Sequence, residues 1–238
     1  LHDALPIYKV YQAIKKLGIC DTVRFIDPET GYKLTEFIEN ARCCDAGNEQ
    51  EVRACMQVLR RFHQSGVQVG HAFDIFERME YYESLWKGEP SCYRDYEKTK
   101  AKVYELKEYL DQQPKHLGLC HIDSVSDNFL MTENQIRLID WEYAGMQDTD
   151  VDIAMFAVYA MYDKNQVDQL IQAYYIEGCE ASVRVKIYAY IAVCGLLWSN
   201  WCEVKRREGV EFGEYSLRQY RYAKEYYKYV KEEQKNVI

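Results

Sequence analysis

The sequence predicts an α+β fold, a mostly helical body carrying a short β-hairpin, preceded by a small strand-bearing N-terminal part. Three observations predict it. From residue 49 onward, apolar side chains recur at helical spacing through successive segments. Residues 129–131 and 136–139 are two short apolar runs joined by the polar turn 132–135. Residues 22–26 and 32–38 form a second such pair around the turn 27–31. At 238 residues, 48% hydrophobic and 29% charged, the chain is able to bury a sizeable core.

In chain order, residues 1–7 stand apart. They include no initiator Met and no signal-peptide pattern, and they back-translate into the end of a common sequencing adapter. The expectation is a non-native segment, with Tyr8 as the first native residue. Residues 8–17 show helical spacing (Val10, Tyr11, Ile14, Leu17), and Gly18 is the predicted stop. Asn48 followed by acidic residues opens a helix whose apolar stripe is Val52, Cys55, Met56, Val58, Leu59 and Phe62. His63 near its end reads as a structural histidine. Residues 73–86 and 93–110 give two further helices. Asp148, Asp150 and Asp152 precede a helix over 153–162, and one of these acids is expected to cap it. Their spacing lacks the glycine and closing glutamate of a calcium loop. Helices follow over 166–176, 181–206 and 215–231, the last with a belt of tyrosines.

Composition excludes several classes. A net charge of −8 disfavours nucleic acid as a partner. No apolar run is read as reaching transmembrane length, so no membrane insertion is expected. The nine cysteines contain no C-x-x-C pair, which argues against zinc and for reduced thiols in a cytoplasmic protein.

The chemistry concentrates between residues 119 and 145. His121, Asp123 and Asn128 fall in the order H-x-D-x-x-x-x-N, and the second strand of the hairpin ends in Asp140. A tight hairpin brings its outer ends together, so Asn128 and Asp140 are predicted side by side, with Asp123 in the loop just before them. Asp and Asn are common in turns for their local hydrogen bonds, so the bare spacing carries little. In this context it points further: a carboxylate free to accept a proton faces an amide and a second carboxylate with oxygen ligands for magnesium. That set serves phosphoryl transfer to a hydroxyl, which depends on positioning and charge neutralisation.

This stretch resembles the catalytic and metal-binding segments of the choline kinase and aminoglycoside phosphotransferase superfamily, whose fold is protein-kinase-like. From Tyr8 onward the chain is similar to bacterial choline kinases that supply phosphocholine for cell-surface glycans. The shared text includes Gly31-Tyr-Lys-Leu-Thr-Glu-Phe-Ile-Glu-Asn, Leu138-Ile-Asp-Trp-Glu-Tyr-Ala-Gly-Met and Gly195-Leu-Leu-Trp-Ser-Asn-Trp-Cys-Glu. The resemblance covers nearly all of the chain. It implies residues 8–41 as the remnant of an N-terminal lobe with its hinge, and 42–238 as a helical C-terminal lobe.

The resemblance also implies roles. Asp123 matches the catalytic Asp, with Asn128 and Asp140 as the magnesium ligands. His121 and Asp152 support the catalytic loop structurally. Thr35, Glu36, Phe37 and Ile38 form the hinge that meets the adenine of ATP. Trp198 matches a tryptophan of the family's choline pocket, and Trp201 is offset from that pattern. Glu142 and Tyr143 complete the pocket, and Tyr159 and Tyr162 are secondary candidates. A quaternary ammonium offers no N–H donor, so ring faces and a carboxylate must hold it, each cation–π contact worth roughly 0.5–2 kcal/mol. The glycine-rich phosphate loop, the strand with the ATP-contacting Lys and its acidic partner find no match, which predicts that this chain alone is inactive. The implied reaction transfers the γ-phosphoryl of ATP to choline, with Mg2+ as cofactor. The alternatives are a kinase for ethanolamine or an aminoglycoside, and a non-catalytic choline-binding module.

Overall fold

A computed structural model describes residues 4–236. Its first elements are α1 (Ala4–Ile14), β1 (Val23–Ile26), β2 (Lys33–Thr35), β3 (Arg42–Cys43), α2 (Glu49–His63), α3 (Ile75–Ser84) and α4 (Tyr96–Asp111). There follow β4 (Leu117–Cys120), β5 (Phe129–Met131), β6 (Ile136–Leu138) and β7 (Gly145–Asp148). Four helices close the chain: α5 (Asp150–Tyr159), α6 (Lys164–Tyr174), α7 (Ala181–Arg207) and α8 (Glu214–Asn236). Two compact units emerge. One holds the chain up to Phe73 together with Lys115–Gly178, the other Asp74–Pro114 together with the chain from Cys179 onward.

In the first unit, α1 buries Val10, Tyr11 and Ile14. It starts within the segment expected to be adapter-derived, of which residues 1–3 lie outside the described residues. It stops short of the expected Leu17, because Leu17 N–H turns back to the Ile14 carbonyl at 2.8 Å and Gly18 takes φ +66°. β1 and β2 pair antiparallel. Asp27 holds their turn, its side chain accepting from Glu29 N–H and Thr30 Oγ1. β2 ends at Thr35 rather than Ile38, and beyond it Phe37 stands 88% exposed. The Asn48 side chain caps α2 by accepting from Gln50 and Glu51 N–H, and the predicted apolar stripe of that helix is buried.

The predicted hairpin forms as β5 and β6, with Phe129 opposite Leu138, and β3 adds to its outer side. A further pairing has no counterpart in the sequence-based expectation: β4 runs antiparallel with β7, Cys120 opposite Gly145. It frames the segment that contains the hairpin. α5 is buried on all sides from Asp150 to Val158, which is why its sequence shows no amphipathic stripe. α5 starts at Asp150, ahead of the expected Ile153; Thr149 precedes it without a side-chain cap bond, the Asp148 carboxylate accepts from Asp150 N–H at 3.4 Å, and Asp152 turns into the core.

In the second unit, α7 is the spine. α8 crosses it at Gly195, where a Cβ would lie 2.6 Å from Tyr222 Cβ and 2.7 Å from the Gln219 carbonyl. Only glycine permits that approach. Asn200 on α7 donates to Tyr96 Oη at 2.9 Å and its carbonyl accepts from the Trp86 indole. The reading that no apolar run reaches transmembrane length is also corrected. Between Lys186 and Glu203 α7 carries no charge, and its best 18-residue window has mean hydropathy 1.3. That window is 72% buried inside the protein, so the apolar length serves the core of this unit.

Candidate active site

The chain leaves β4 into a loop whose shape is dictated by one carboxylate. Asp152, fully buried on α5, accepts from His121 N–H at 2.8 Å and from Ile122 N–H at 2.7 Å. Its own carbonyl accepts from Ser124 Oγ at 2.7 Å. Ile122 sits at φ +70°, an uncommon place for a β-branched residue, and these bonds hold it there. A third donor to Asp152 is His63 Nε2 at 2.9 Å, while His63 Nδ1 shares a hydrogen bond with Tyr174 Oη at 2.7 Å. The buried thiol of Cys120 lies close to both, a grouping of metal-ligand type. Here the carboxylate is occupied by N–H donors, and burial pushes the Cys120 thiol well up, so it stays protonated.

His121 links the loop to the hairpin exit. Its Nε2 donates to the Ile139 carbonyl at 2.8 Å, and its ring packs edge-on against Trp141, centroids 4.5 Å apart. The Trp141 indole in turn donates to the Leu138 carbonyl at 2.8 Å. Burial lowers the His121 pKa, which keeps the ring neutral.

Asp123 and Asn128 touch directly. The Asn128 amide nitrogen donates to the Asp123 carbonyl at 2.8 Å and to its carboxylate at 3.1 Å. That leaves the amide oxygen as the ligand-capable atom. Ile139 N–H bonds the Asn128 carbonyl at 2.9 Å, so the hairpin closes with Asn128 and Asp140 at its open end. Asp140 follows at φ +65°. Burial pushes the Asp123 carboxyl up to about 6; the Asn128 hydrogen bond opposes this, and the charges of Asp140, Glu142 and Asp152 add to it. Asp123 is thus a carboxylate poised near neutral pH. An amide oxygen and a carboxylate beside it are hard oxygen donors of the kind magnesium takes.

Glu36, Phe37 and Ile38, expected to form the hinge, line a cleft of about 530 Å³ together with Asp21 and the hairpin turn 132–135. Thr35 closes β2 beside it, and Glu36 pairs with Arg24. Glu142 shares a smaller cleft of about 150 Å³ with Asp140 and Trp141. Tyr143 packs edge-on against Phe73 at 6.4 Å. Tyr159 donates to the Asp127 carboxylate at 2.7 Å, one residue from Asn128. Tyr162 is buried and donates to the Ala46 carbonyl at 2.5 Å. In the other unit, Trp198 and Trp201 meet edge-to-face at 5.9 Å, and Phe212 stands 5.0 Å from Trp201.

The sequence reads His63 as structural, which its two bonds bear out, but it misses its partners Asp152 and Tyr174. Nothing local marks them, since His63 lies 89 residues from Asp152. For Tyr159 it suggests only a place in the substrate pocket; the bond to Asp127 has no sequence signature.

The profile of the choline/ethanolamine kinase family matches residues 31–193. Protein LicA of Haemophilus influenzae strain Rd is 28% identical over 207 residues, which is 81% of this chain and 76% of that protein. In a second Haemophilus influenzae LicA the match spans 60% of the relative's length. Among solved structures, the choline kinase LicA of Streptococcus pneumoniae is 26% identical with TM-score 0.82, covering 95% of this chain and 81% of that one. A LicA structure in complex with AMP is 26% identical with TM-score 0.83, covering 97% and 80%. Fold and relatives together define a protein-kinase-like phosphotransferase acting on an alcohol. Within that class the chain belongs to the choline/ethanolamine kinase family.

Proposed function

We propose that this chain is the catalytic part of an ATP-dependent choline kinase that converts choline to phosphocholine in the cytoplasm. The contact of Asn128 with Asp123 at the open end of the hairpin, one strand away from Asp140, carries the reading. Asp123 accepts the hydroxyl proton of choline as the oxygen attacks the γ-phosphoryl group. Its pKa of about 6 leaves it ionised at neutral pH and still basic enough for the task. The Asn128 amide oxygen and the Asp140 carboxylate would hold magnesium, which would supply charge neutralisation on the phosphates. Asp152 and His121 keep the loop rigid, so that Asp123 meets the hydroxyl without rearrangement. The backbone at Thr35, Glu36, Phe37 and Ile38 receives the adenine. For the choline ammonium, Trp198 and Trp201 offer ring faces and Glu142 and Tyr143 a carboxylate and a further ring, with Tyr159 and Tyr162 as secondary contacts. The free cysteines agree with a reducing compartment. The division into a small N-terminal part, 8–41, and a helical part, 42–238, belongs to the same proposal.

The test is a calorimetric titration of the folded chain with choline, ethanolamine and an aminoglycoside, repeated on Trp198→Ala. Choline binding that weakens about tenfold or more in the variant supports the aromatic contact. Preferential binding of the aminoglycoside overturns the substrate assignment, and choline binding indifferent to Trp198 overturns the aromatic contact.

A further inference from the structure

We propose that Lys33 is a phosphate-binding residue, its ammonium group meeting the terminal phosphates of the nucleotide beside Asp140. The inference rests on the kinase reading above and deepens it at the same site. Lys33 lies on β2, two residues before Thr35, and lines the cleft of about 150 Å³ with Ile26, Gly31, Asp140, Trp141 and Glu142. Among those lining residues Lys33 brings the positive charge, and Asp140 and Glu142 bring negative ones. A triphosphate approaching two carboxylates meets repulsion, so a cation on the same wall is what phosphate binding there requires.

The ammonium group is also held as a ligand-binding cation should be. Lys33 Nζ donates to Tyr11 Oη at 2.6 Å and stands 3.6 Å from the Asp21 carboxylate. Both partners are buried, whereas the Lys33 side chain is 28% exposed. Lysine has three N–H donors, so the one hydrogen bond to Tyr11, with Asp21 as an ion-pair partner behind it, leaves donors for a phosphate oxygen in the cleft. Kinases hold phosphates with a strand lysine braced by an acid beside the metal carboxylate. Here the strand is the one entering the hinge, and the brace is Asp21 with Tyr11.

The experiment titrates the chain with MgATP, MgADP, AMP and choline by calorimetry. Wild type is compared with Asp21→Asn and with the double variant Lys33→Met, Asp21→Asn. Removing both charges together avoids leaving a buried carboxylate uncompensated, so the double variant remains foldable. The expected result is MgATP affinity reduced about tenfold or more in the double variant, with AMP and choline affinities unchanged. Asp21→Asn alone, which keeps the lysine, retains MgATP binding. MgATP binding within about twofold of wild type in the double variant overturns the assignment. So does a parallel loss of AMP, which marks a collapsed cleft rather than a lost phosphate contact. Absence of nucleotide binding by wild type overturns it as well; the choline titration then reports separately on the acceptor reading.

Discussion

The loop 121–125 and the segment 36–40, which takes in three of the proposed hinge residues, both lack regular structure, and each contains a non-glycine residue at positive φ. They are held by different means. In the loop it is Ile122 at +70°, a residue type that resists this conformation; a buried carboxylate and a packed His121 hold it in place. In the segment after β2 it is Asn40 at +56°, a residue type that tolerates it. Phe37 nearby is 88% exposed. The geometry of the loop that carries Asp123 is therefore set by the core, and that of the segment after β2 by the choice of residue. Damage should be severe and global in the first region, mild and local in the second.

The largest effect is expected at Asp152→Ala. It strips the acceptor from His121 N–H, Ile122 N–H and His63, each a buried donor whose loss costs about 1–3 kcal/mol, for a total of at least ~3 kcal/mol. Urea denaturation measures it; a loss below about 1 kcal/mol would remove the distinction between the two regions.

Asp123→Asn should act in the opposite direction. The folded pKa of Asp123, about 6, lies above its unfolded value, so its proton stabilises the fold at low pH and that contribution is lost as pH rises through about 6. A neutral amide escapes this loss. At pH 7 the variant should be more stable than wild type by on the order of 2 kcal/mol, the two converging near pH 4. Equal stability of the two proteins across that range would refute the burial argument for this carboxylate.

Smaller effects belong to the segment 36–40. Asn40→Val should cost about 1 kcal/mol, because a β-branched side chain clashes at positive φ, while Asn40→Gly stays near wild type. Thermal denaturation of the pair decides it, and equal melting of both variants would argue that the backbone simply rearranges. Phe37→Ser should change stability by less than about 0.5 kcal/mol, since so little of the side chain is buried. A larger loss in the same assay would show the hinge to be packed after all.

Local elements are written plainly in the chain. The hairpin around residues 132–135 and the stripe of α2 follow from short-range periodicity, and the Asn48 cap from a single local preference. α5 is readable as a helix but not in its orientation, because a helix buried on all sides has no face to read. The pairing of β4 with β7 is not legible, since Leu117 and Asp148 meet across a long intervening chain and both strands are short. His63 looks like any helix-end histidine. Its tie to Asp152 spans 89 residues, and nothing near either one announces the other.

By itself the sequence determined which chemistry the chain brings together. The order of His121, Asp123, Asn128 and Asp140 along a loop and a tight hairpin leaves few ways to arrange them, because a two-strand turn enforces proximity locally. Only the tertiary structure decided how that chemistry is held. Burial of Asp123 raises its proton affinity, and Asp152 supplies the charge that bends the loop. Both depend on desolvation and on contacts between distant segments, quantities that exist only once the chain has folded around them.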